Sequence, residues 1–576
     1  MLRLASILLF CMLLNIGAAA DLTLQFQHTV AGTPLRLDSL RYSNSSDEVF
    51  SLSRLSYLLS NVALQDAEGS WHSIPNSIAW IDVEKRRTSW QLQDIPQNDH
   101  QAIRFDVGLS ESINHSDPAQ YSATHPLNPN LNKLHWTWQS GYIFLAFEGR
   151  YRDHRGTLQS FVYHYANDAQ RVTITLPLPK PLSGESHIEI HFDIAALLNA
   201  PTPLSFAKDG ASSHSRPEDP IPVALRQNLR GAFHIQRVDT ITTTEPPAAQ
   251  QPIDFPVHYR PHGFQMSRRF PIPELPQDNP LIEERIELGR HLFHDTRLSA
   301  DNRIACVSCH QPESAMSDHR TKSIGIDGQL SRRHSMPLFN LAWKQQFFWD
   351  GRAPSLREQV LMPIQDPTEM GESLPNVIHK IKADPDYPAR FAKAFRSGEI
   401  NETNLSLALE SFLLSLTSYD SKFDQAMQGK AELTEAERRG FELFMTEYEP
   451  RSKQYGADCF HCHGGALFTD NRFHDNGLTK ANDLGLAEIT LRHSDRYKFA
   501  TPSLRNVALT APYMHDGRFN SLEEVLEHYD SGIERRPTLD PNLAKHPAHG
   551  RQFSEDDKSA LVAFLKTLTD PQYLND

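Results

Sequence analysis

The sequence of 576 residues is poor in cysteine, lacks any long apolar run beyond its first twenty residues, and has no excess of positive charge. Its net charge of −14 argues against a nucleic-acid partner, because phosphate binding requires clustered lysine and arginine. The apolar run at residues 4–14 is shorter than the roughly 18 residues that a membrane helix needs. We therefore expect no integral membrane segment and no nucleic-acid function.

Residues 1–20 have the features of a cleavable secretory signal peptide. Arg3 gives a positive start, the apolar stretch follows, and the small residues Ala18, Ala19 and Ala20 precede Asp21. An uncleaved anchor is the alternative, but the stretch is too short to favour it. The pattern predicts an exported protein.

Four of the five cysteines fall into two Cys-x-x-Cys-His strings, at residues 306–310 and 459–463, and the fifth, Cys11, lies in the predicted signal peptide. An exported protein usually spends its cysteines on disulfides, so their confinement to these strings is informative. The string is the attachment signal of haem c, in which both thiols bind the porphyrin and the histidine binds the iron. Zinc would not require the histidine twice, and a redox dithiol would not occur twice without a βαβ pattern. We predict two covalently attached haems, held by Cys306, Cys309 and His310 and by Cys459, Cys462 and His463.

The residue pattern predicts a multidomain fold, with an N-terminal all-β sandwich followed by two mainly α-helical cytochrome c-like haem domains. Residues 21–235 alternate apolar and polar side chains, as at 188–194, which is typical of half-buried antiparallel strands. The proline-rich residues 236–280 predict an extended, stiff linker.

Beyond residue 280 the apolar spacing becomes helical, as at 405–416, and capping boxes begin at Thr434 and Ser521. Because each half of this region contains one haem string, we expect a first cytochrome domain at 281–425 and a second at 426–576.

Residues 275–570 resemble the bacterial di-haem cytochrome c peroxidase and MauG superfamily. The strings that carry the resemblance surround both haem motifs and occur at residues 288–293, 298–299, 306–313, 348–353, 369–371, 459–470, 501–506 and 510–517. The resemblance implies a peroxidatic haem on His310 and an electron-transfer haem on His463. It also implies that Glu369 and Gln359 form the distal pocket beside the peroxide and that Trp349 lies between the haems.

Two positions separate branches of that superfamily. Where the peroxidases that need prior reduction have a blocking distal histidine, this sequence has Ile326, so the first haem is expected to be open. The sixth ligand of the second haem corresponds to Tyr529, as in MauG, with Met514 as the alternative. The resemblance also implies a calcium ion held by the carbonyls of Thr510 and Pro512, but His334 replaces the asparagine that the family pattern has beside them.

Residues 22–235 resemble MbnP-like periplasmic copper-binding proteins. The strings that carry this resemblance lie at residues 105–108, 114–118, 125–128, 136–142 and 163–164. In that family a separate MauG-like enzyme, of the MbnH type, oxidises a tryptophan of the partner to kynurenine. The resemblance implies copper binding and periplasmic localisation. The candidate copper ligands are His115, His135 and His164, and the candidate modified residues are Trp136 and Trp138.

The chain therefore resembles a fusion of an MbnP-like protein with its MauG-like enzyme, and three hypotheses follow. It is a peroxide-dependent oxidoreductase that forms high-valent haem iron and oxidises a tryptophan in its own or a partner's copper-binding domain. Alternatively it is a peroxidase that takes electrons from a small cytochrome c or cupredoxin. The third hypothesis is a non-enzymatic protein that binds copper and transfers electrons.

Overall fold

The computed structural model describes residues 19–576 except 97–98, 137–140, 154, 183–184, 217, 241–252, 450–453, 479–481 and 575–576. Residues 1–18 of the predicted signal peptide, and Trp138, lie outside the described residues. Apart from these gaps, two compact units are present. The first comprises residues 19–113, 143–147 and 163–240, and the second comprises 114–142, 148–162 and 253–574.

The N-terminal region is mostly β, as predicted. Its strands are β1 (Ala19–Val30), β2 (Thr33–Pro34), β3 (Tyr42–Ser43), β4 (Val49–Gln65), β5 (Trp71–Ser73), β6 (Ile78–Asp82), β7 (Ser89–Pro96), β8 (Ala102–Val107), β9 (His135–Trp136), β10 (Gly141–Arg152), β11 (Leu158–Ala166), β12 (Val172–Pro177), β13 (Ser186–Asp193), β14 (Ser212–Ser213) and β15 (Phe233–Thr240). One sheet has the order β15-β13-β1-β2, with β7 also on β1. The other has the order β12-β8-β4-β10-β11-β14, with β3, β5 and β6 on β4 and β9 on β10.

Aromatic side chains from the two sheets meet in the core of the first unit. The ring of Phe26 on β1 contacts the ring of Phe105 on β8 edge-on, with centroids 6.1 Å apart. Tyr57 on β4 meets Phe192 on β13 at 5.5 Å. All four side chains are fully buried, so the alternation of the sequence does mark the faces that two sheets turn towards each other.

Beyond residue 282 the structure is mainly helical, and the first four helices of the chain lie within the N-terminal region. The helices are α1 (Glu111–Asn114), α2 (Pro129–Asn132), α3 (Ile194–Asn199), α4 (Pro220–Ala232), α5 (Glu283–Phe293), α6 (Leu356–Gln359), α7 (Met362–Gln365), α8 (Leu374–Ala383), α9 (Tyr387–Ala394), α10 (Glu402–Ser415), α11 (Lys422–Met427), α12 (Glu435–Met445), α13 (Phe460–His463), α14 (Ala487–Thr490), α15 (Leu522–Glu527), α16 (Pro541–Ala544) and α17 (Glu555–Lys566). Among the described residues, none of these helices combines the length and apolarity needed to cross a bilayer.

Each haem lobe is closed by a pair of crossing helices that touch at a glycine. In the first lobe α5 packs against α10, where a Cβ on Gly289 would lie 2.0 Å from the carbonyl oxygen of Ala408. In the second lobe α12 packs against α17, where a Cβ on Gly440 would lie 1.9 Å from the carbonyl oxygen of Ala560. Any larger residue at either position would push the helices apart.

The proline-rich segment, predicted to be an extended and stiff linker, contacts the first haem lobe. Strand β15 continues to Thr240, and residues 253–282 pack on the first haem lobe instead of standing apart. Phe270 is fully buried in that lobe, and the carbonyl of Pro271 accepts a hydrogen bond of 2.6 Å from the indole of Trp343. Proline composition excludes regular structure but does not prevent packing, because the apolar residues between the prolines still gain from burial.

A buried ion pair fixes the second haem lobe. Arg505, which is 1 % exposed, donates two hydrogen bonds of 2.7 and 2.8 Å to the carboxylate of Asp424. It also donates to the carbonyl of Ala466, and its guanidinium lies 4.5 Å from the ring centroid of Phe270. The bidentate geometry satisfies both charges inside the protein.

Candidate active site

The two Cys-x-x-Cys-His histidines have the same local environment. His310 follows a tight turn at Cys306–Ser308, and its Nδ1 lies 3.0 Å from the carbonyl oxygen of Met316. His463 ends α13, and its Nδ1 lies 3.2 Å from the carbonyl oxygen of Phe468. An Nδ1–H that donates to a backbone carbonyl leaves Nε2 free for iron, which is the arrangement that metal-binding histidines usually have.

The cysteines and the cavity beside them fit haem c. The four thiols form no disulfide, and burial raises the pKa of Cys306 to about 12 and that of Cys309 to about 11. A cavity of about 430 Å³ is lined by Cys309, His310 and Trp349, which is within the usual range for cofactor pockets. The donor set and the space therefore suit a covalently attached porphyrin.

Glu369 and Gln359 both line the pocket that contains Cys306 and His310, where a smaller cavity of about 60 Å³ lies among apolar residues. The structure thus brings together the two predicted distal residues. Burial, and then the charge of Asp366, raise the pKa of Glu369 to about 7. A carboxyl group with this pKa can both accept and return a proton near neutral pH.

Ile326 lies directly beside the segment that carries Glu369. Its backbone N–H donates to the carbonyl of Glu369 at 2.9 Å, and its Cδ1 packs against Gly371. A Cβ on the neighbouring Gly325 would lie 2.0 Å from the carbonyl of Thr368. The position predicted to carry a blocking histidine in other branches is therefore packed against the Glu369 loop by an apolar side chain.

Trp349 lies where the two lobes meet. It is 7 % exposed, and its indole N–H donates to the carbonyl of His334 at 2.8 Å. Its own carbonyl accepts from the N–H of Ala500 in the second lobe at 2.8 Å. The side chain lines the first haem cavity, and its role as a relay between the haems stays a prediction.

Both candidate sixth ligands of the second haem contact the same amide. The Asn476 Nδ2 lies 3.4 Å from the Tyr529 hydroxyl and 3.5 Å from the Met514 sulfur. Tyr529 lies just beyond α15, in a π-helical turn formed by residues His528–Gly532. Such turns are frequent at functional sites because they re-aim one side chain. The pattern of the sequence contains no signal for the turn or for Asn476.

We expect Tyr529→Phe to alter the spectrum of the second haem, while Met514→Leu leaves it close to that of the parent. Burial raises the pKa of the Tyr529 phenol to about 12. At neutral pH the phenol therefore stays protonated unless a cation such as the haem iron binds its oxygen and displaces the proton. Axial ligand identity spans roughly 0.8 V of haem potential, so a shift of more than about 0.1 V should accompany the change. Absorption and redox titration measure both effects. A changed spectrum in Met514→Leu alone would assign the methionine instead.

The predicted calcium residues lie close to each other and to a histidine. Thr510 and Pro512 belong to the loop that precedes α15, and the carbonyl of Thr510 faces the imidazole of His334. His334 is 5 % exposed and stands where the family pattern has an asparagine.

The candidate copper residues of the N-terminal region do not form one cluster in either unit. His164 belongs to the first unit, whereas His115, His135 and Trp136 belong to the second. His135 and Trp136 form β9, and the pKa of His135 is lowered to about 4 by burial. His115 is exposed and Trp136 is buried.

Sequence reasoning missed His214 as a companion of His164. Both rings are buried, and their centroids lie 4.9 Å apart in an edge-on arrangement. The two residues are brought together because β14 pairs with β11 at the edge of the larger sheet. No spacing rule in the sequence indicates this pairing.

Comparison with known proteins gives two family matches within one chain. Residues 283–432 match the family model described as di-haem cytochrome c peroxidase. Residues 19–215 match the family model MbnP. The two matched regions do not overlap.

Individual relatives match the haem half. The methylamine utilization protein MauG of Methylorubrum extorquens is 37 % identical over 359 residues, which cover 61 % of this chain and 95 % of that protein. The cytochrome c551 peroxidase of Nitrosomonas europaea is 33 % identical, over 53 % of this chain and 86 % of its own length. A solved MauG-like protein associated with microbial copper homeostasis is 35 % identical, with a TM-score of 0.49 over 55 % of this chain and 97 % of that one.

Proposed function

The chain belongs to the family of MauG and di-haem cytochrome c peroxidases, which are peroxide-dependent oxidoreductases with two c-type haems. We propose that it uses hydrogen peroxide to oxidise a tryptophan to kynurenine. The substrate is Trp136 or Trp138, in its own MbnP-like domain or in that of a partner. The observation that carries this proposal is the presence of an MbnP match and a di-haem peroxidase match in one chain.

The position of Trp136 supports the proposal. Trp136 belongs to the same compact unit as Glu369 and Trp349. Within that unit the Asn128 side chain, near the start of α2, donates to the carbonyl of Ile272 at 3.0 Å. Arg150 donates to the carbonyl of Leu539. These bonds would hold the segments that flank β9 on the haem half.

The two haems, when bound, supply irons that can accept the oxidising equivalents of peroxide and exchange electrons with each other. The chain's own residues do the rest. Glu369 takes a proton from one peroxide oxygen and returns it to the other, while Gln359 offers an amide beside it. The apolar lining of the pocket excludes bulk water. Trp349, fixed by its hydrogen bond to His334, provides an aromatic path between the lobes.

Copper is the ion that the MbnP-like half is proposed to bind. Imidazole nitrogens suit copper, and burial keeps His135 neutral, which is the form that binds metals. The buried pair His164 and His214 is the second candidate group. Export to the periplasm remains a proposal that rests on residues 1–20.

We expect two molecules of peroxide to oxidise one tryptophan of the N-terminal half to N-formylkynurenine, which hydrolysis converts to kynurenine with release of formate. Mass spectrometry of the digested protein measures the net gain in mass of that residue. The full holoprotein is treated with peroxide, and Trp136→Phe and Trp138→Phe are compared with it. One of the two variants should lose the mass gain completely, because each removes one candidate acceptor. Trp71→Phe is the matched control and should keep the mass gain, because Trp71 stacks on Arg104 and is not a candidate acceptor.

A peroxidase that takes electrons from a small redox protein is the second candidate function, favoured by the similarity to cytochrome c551 peroxidase. In that case the same experiment would give no mass gain, and reduced cytochrome c or cupredoxin would be oxidised rapidly. Slow oxidation of both carriers together with a mass gain would exclude it.

A further inference from the structure

The calcium ion expected between the lobes meets an unsuitable set of residues in this chain. Calcium prefers oxygen ligands from carboxylates, carbonyls and amide side chains. The position that should offer an asparagine oxygen is His334, whose ring nitrogens are poor ligands for this ion. The residues present therefore do not fit calcium.

Backbone carbonyls from several segments face the imidazole of His334. Its Nδ1 is 3.1 Å from the carbonyl oxygen of Arg320. The carbonyls of Thr321 and Thr510 also face the ring. Its Nε2 is 3.3 Å from the hydroxyl of Ser317. Oxygen atoms from both lobes thus surround a ring that can donate hydrogen bonds to them.

The backbone of His334 also makes hydrogen bonds to residues of both lobes. Its N–H donates to the carbonyl of His515 at 2.9 Å, and its carbonyl accepts the indole N–H of Trp349 at 2.8 Å. A Cβ on Gly517 would lie 2.7 Å from the carbonyl of Thr321, so the two loops are in close contact. One residue thereby links the 317–321 loop, the 510–517 loop and the tryptophan between the haems.

We propose that the His334 imidazole replaces the calcium ion, so that this chain holds its two lobes together without a metal at this position. The Nδ1–H of the ring donates to a main-chain carbonyl of the first lobe, and the carbonyl of Thr510 in the second lobe faces the same ring. The ring is only 5 % exposed, so protein atoms enclose most of it.

The test compares the wild-type holoprotein with His334→Asn, which restores the amide oxygen of the family pattern. Elemental analysis after dialysis against millimolar calcium should find no bound calcium in the wild type. The chelator EGTA should leave its thermal midpoint unchanged. In EGTA the variant should melt on the order of 5 °C lower, because it loses the imidazole hydrogen bonds. Calcium, but not magnesium, should recover part of that loss.

The exposed His379 on α8 provides the matched control, since His379→Asn should melt like the wild type with and without calcium. If His334→Asn does not fold, His334→Gln replaces it, since it carries the same amide one methylene further out. The calcium content of the wild type and the effect of EGTA on its thermal midpoint test the proposal without either variant. One tightly bound calcium per wild-type chain, whose removal lowers the midpoint, would overturn the proposal. A folded His334→Asn whose thermal midpoint does not change on addition of calcium would overturn it as well.

Discussion

Exchanging Glu369 for glutamine is expected to slow the turnover of hydrogen peroxide by roughly 10²- to 10⁴-fold, the range usual for losing a general acid–base group. Glutamine keeps the size and polarity of the side chain but cannot accept a proton. Steady-state reduction of peroxide with an artificial electron donor measures the effect. Haem content, determined in the same samples, shows that the loss is not one of cofactor.

The pH profile gives this prediction a second, independent readout. Burial and the neighbouring Asp366 raise the pKa of Glu369 to about 7, so the carboxylate that acts as base forms as the pH rises through that value. The wild-type rate should therefore increase through pH 7, and the rate of Glu369→Gln should lack this step. Because the pKa is raised on folding, the stability that the protonated carboxyl contributes is complete below pH 4.5 and is lost as the pH rises through about 7.

The matched control is Glu313→Gln, which changes an exposed glutamate that follows the first haem string. Its rate and profile should equal those of the wild type. If Glu369→Gln turned over peroxide as fast as this control, another residue of the pocket would have to carry the proton.

Replacing Arg505 with glutamine is expected to lower the free energy of unfolding by about 3–5 kcal/mol, the usual cost of leaving one partner of a buried ion pair alone. Asp424 would remain in the core without its bidentate partner, and the carbonyl of Ala466 would lose its donor. Urea denaturation followed by fluorescence and by haem absorbance measures the change. The haem signal should move with the fluorescence, because the pair lies in the second haem lobe.

Arg439→Gln is the control for that change. Arg439 also pairs with an aspartate, Asp557, at 2.9 Å, but its side chain is 53 % exposed. Solvent screens such a pair, so its loss should cost less than about 1 kcal/mol. Equal effects of the two substitutions would contradict the role assigned to burial.

The local rules predicted much of this molecule. Alternation located β12 and β13, the helical spacing located α10, and the Thr434 capping box forms with Glu437. These features depend on neighbours a few residues apart, which a sequence displays directly.

The features that escaped prediction depend on residues far apart in the chain. The connector packs on the first lobe because Phe270 contacts Trp343 and Arg505, which lie far along the chain. His214 meets His164 only through strand pairing. The π-helical turn that carries Tyr529 is a departure from regular spacing that periodicity cannot reveal. The family resemblance, by contrast, brought Glu369 and Gln359 to one pocket although no local rule connects them.

The glycine contacts of the two helix pairs show where both lobes are least tolerant of change. Gly289 meets Ala408 and Gly440 meets Ala560 in the same way, and Phe412 and Phe564 follow in equivalent places one turn further on. The residues that distinguish the lobes lie outside these contacts, since Glu369 follows α7 and Tyr529 lies in the π-helical turn after α15. Exchanging the segments that carry these two residues should therefore leave both helix contacts intact.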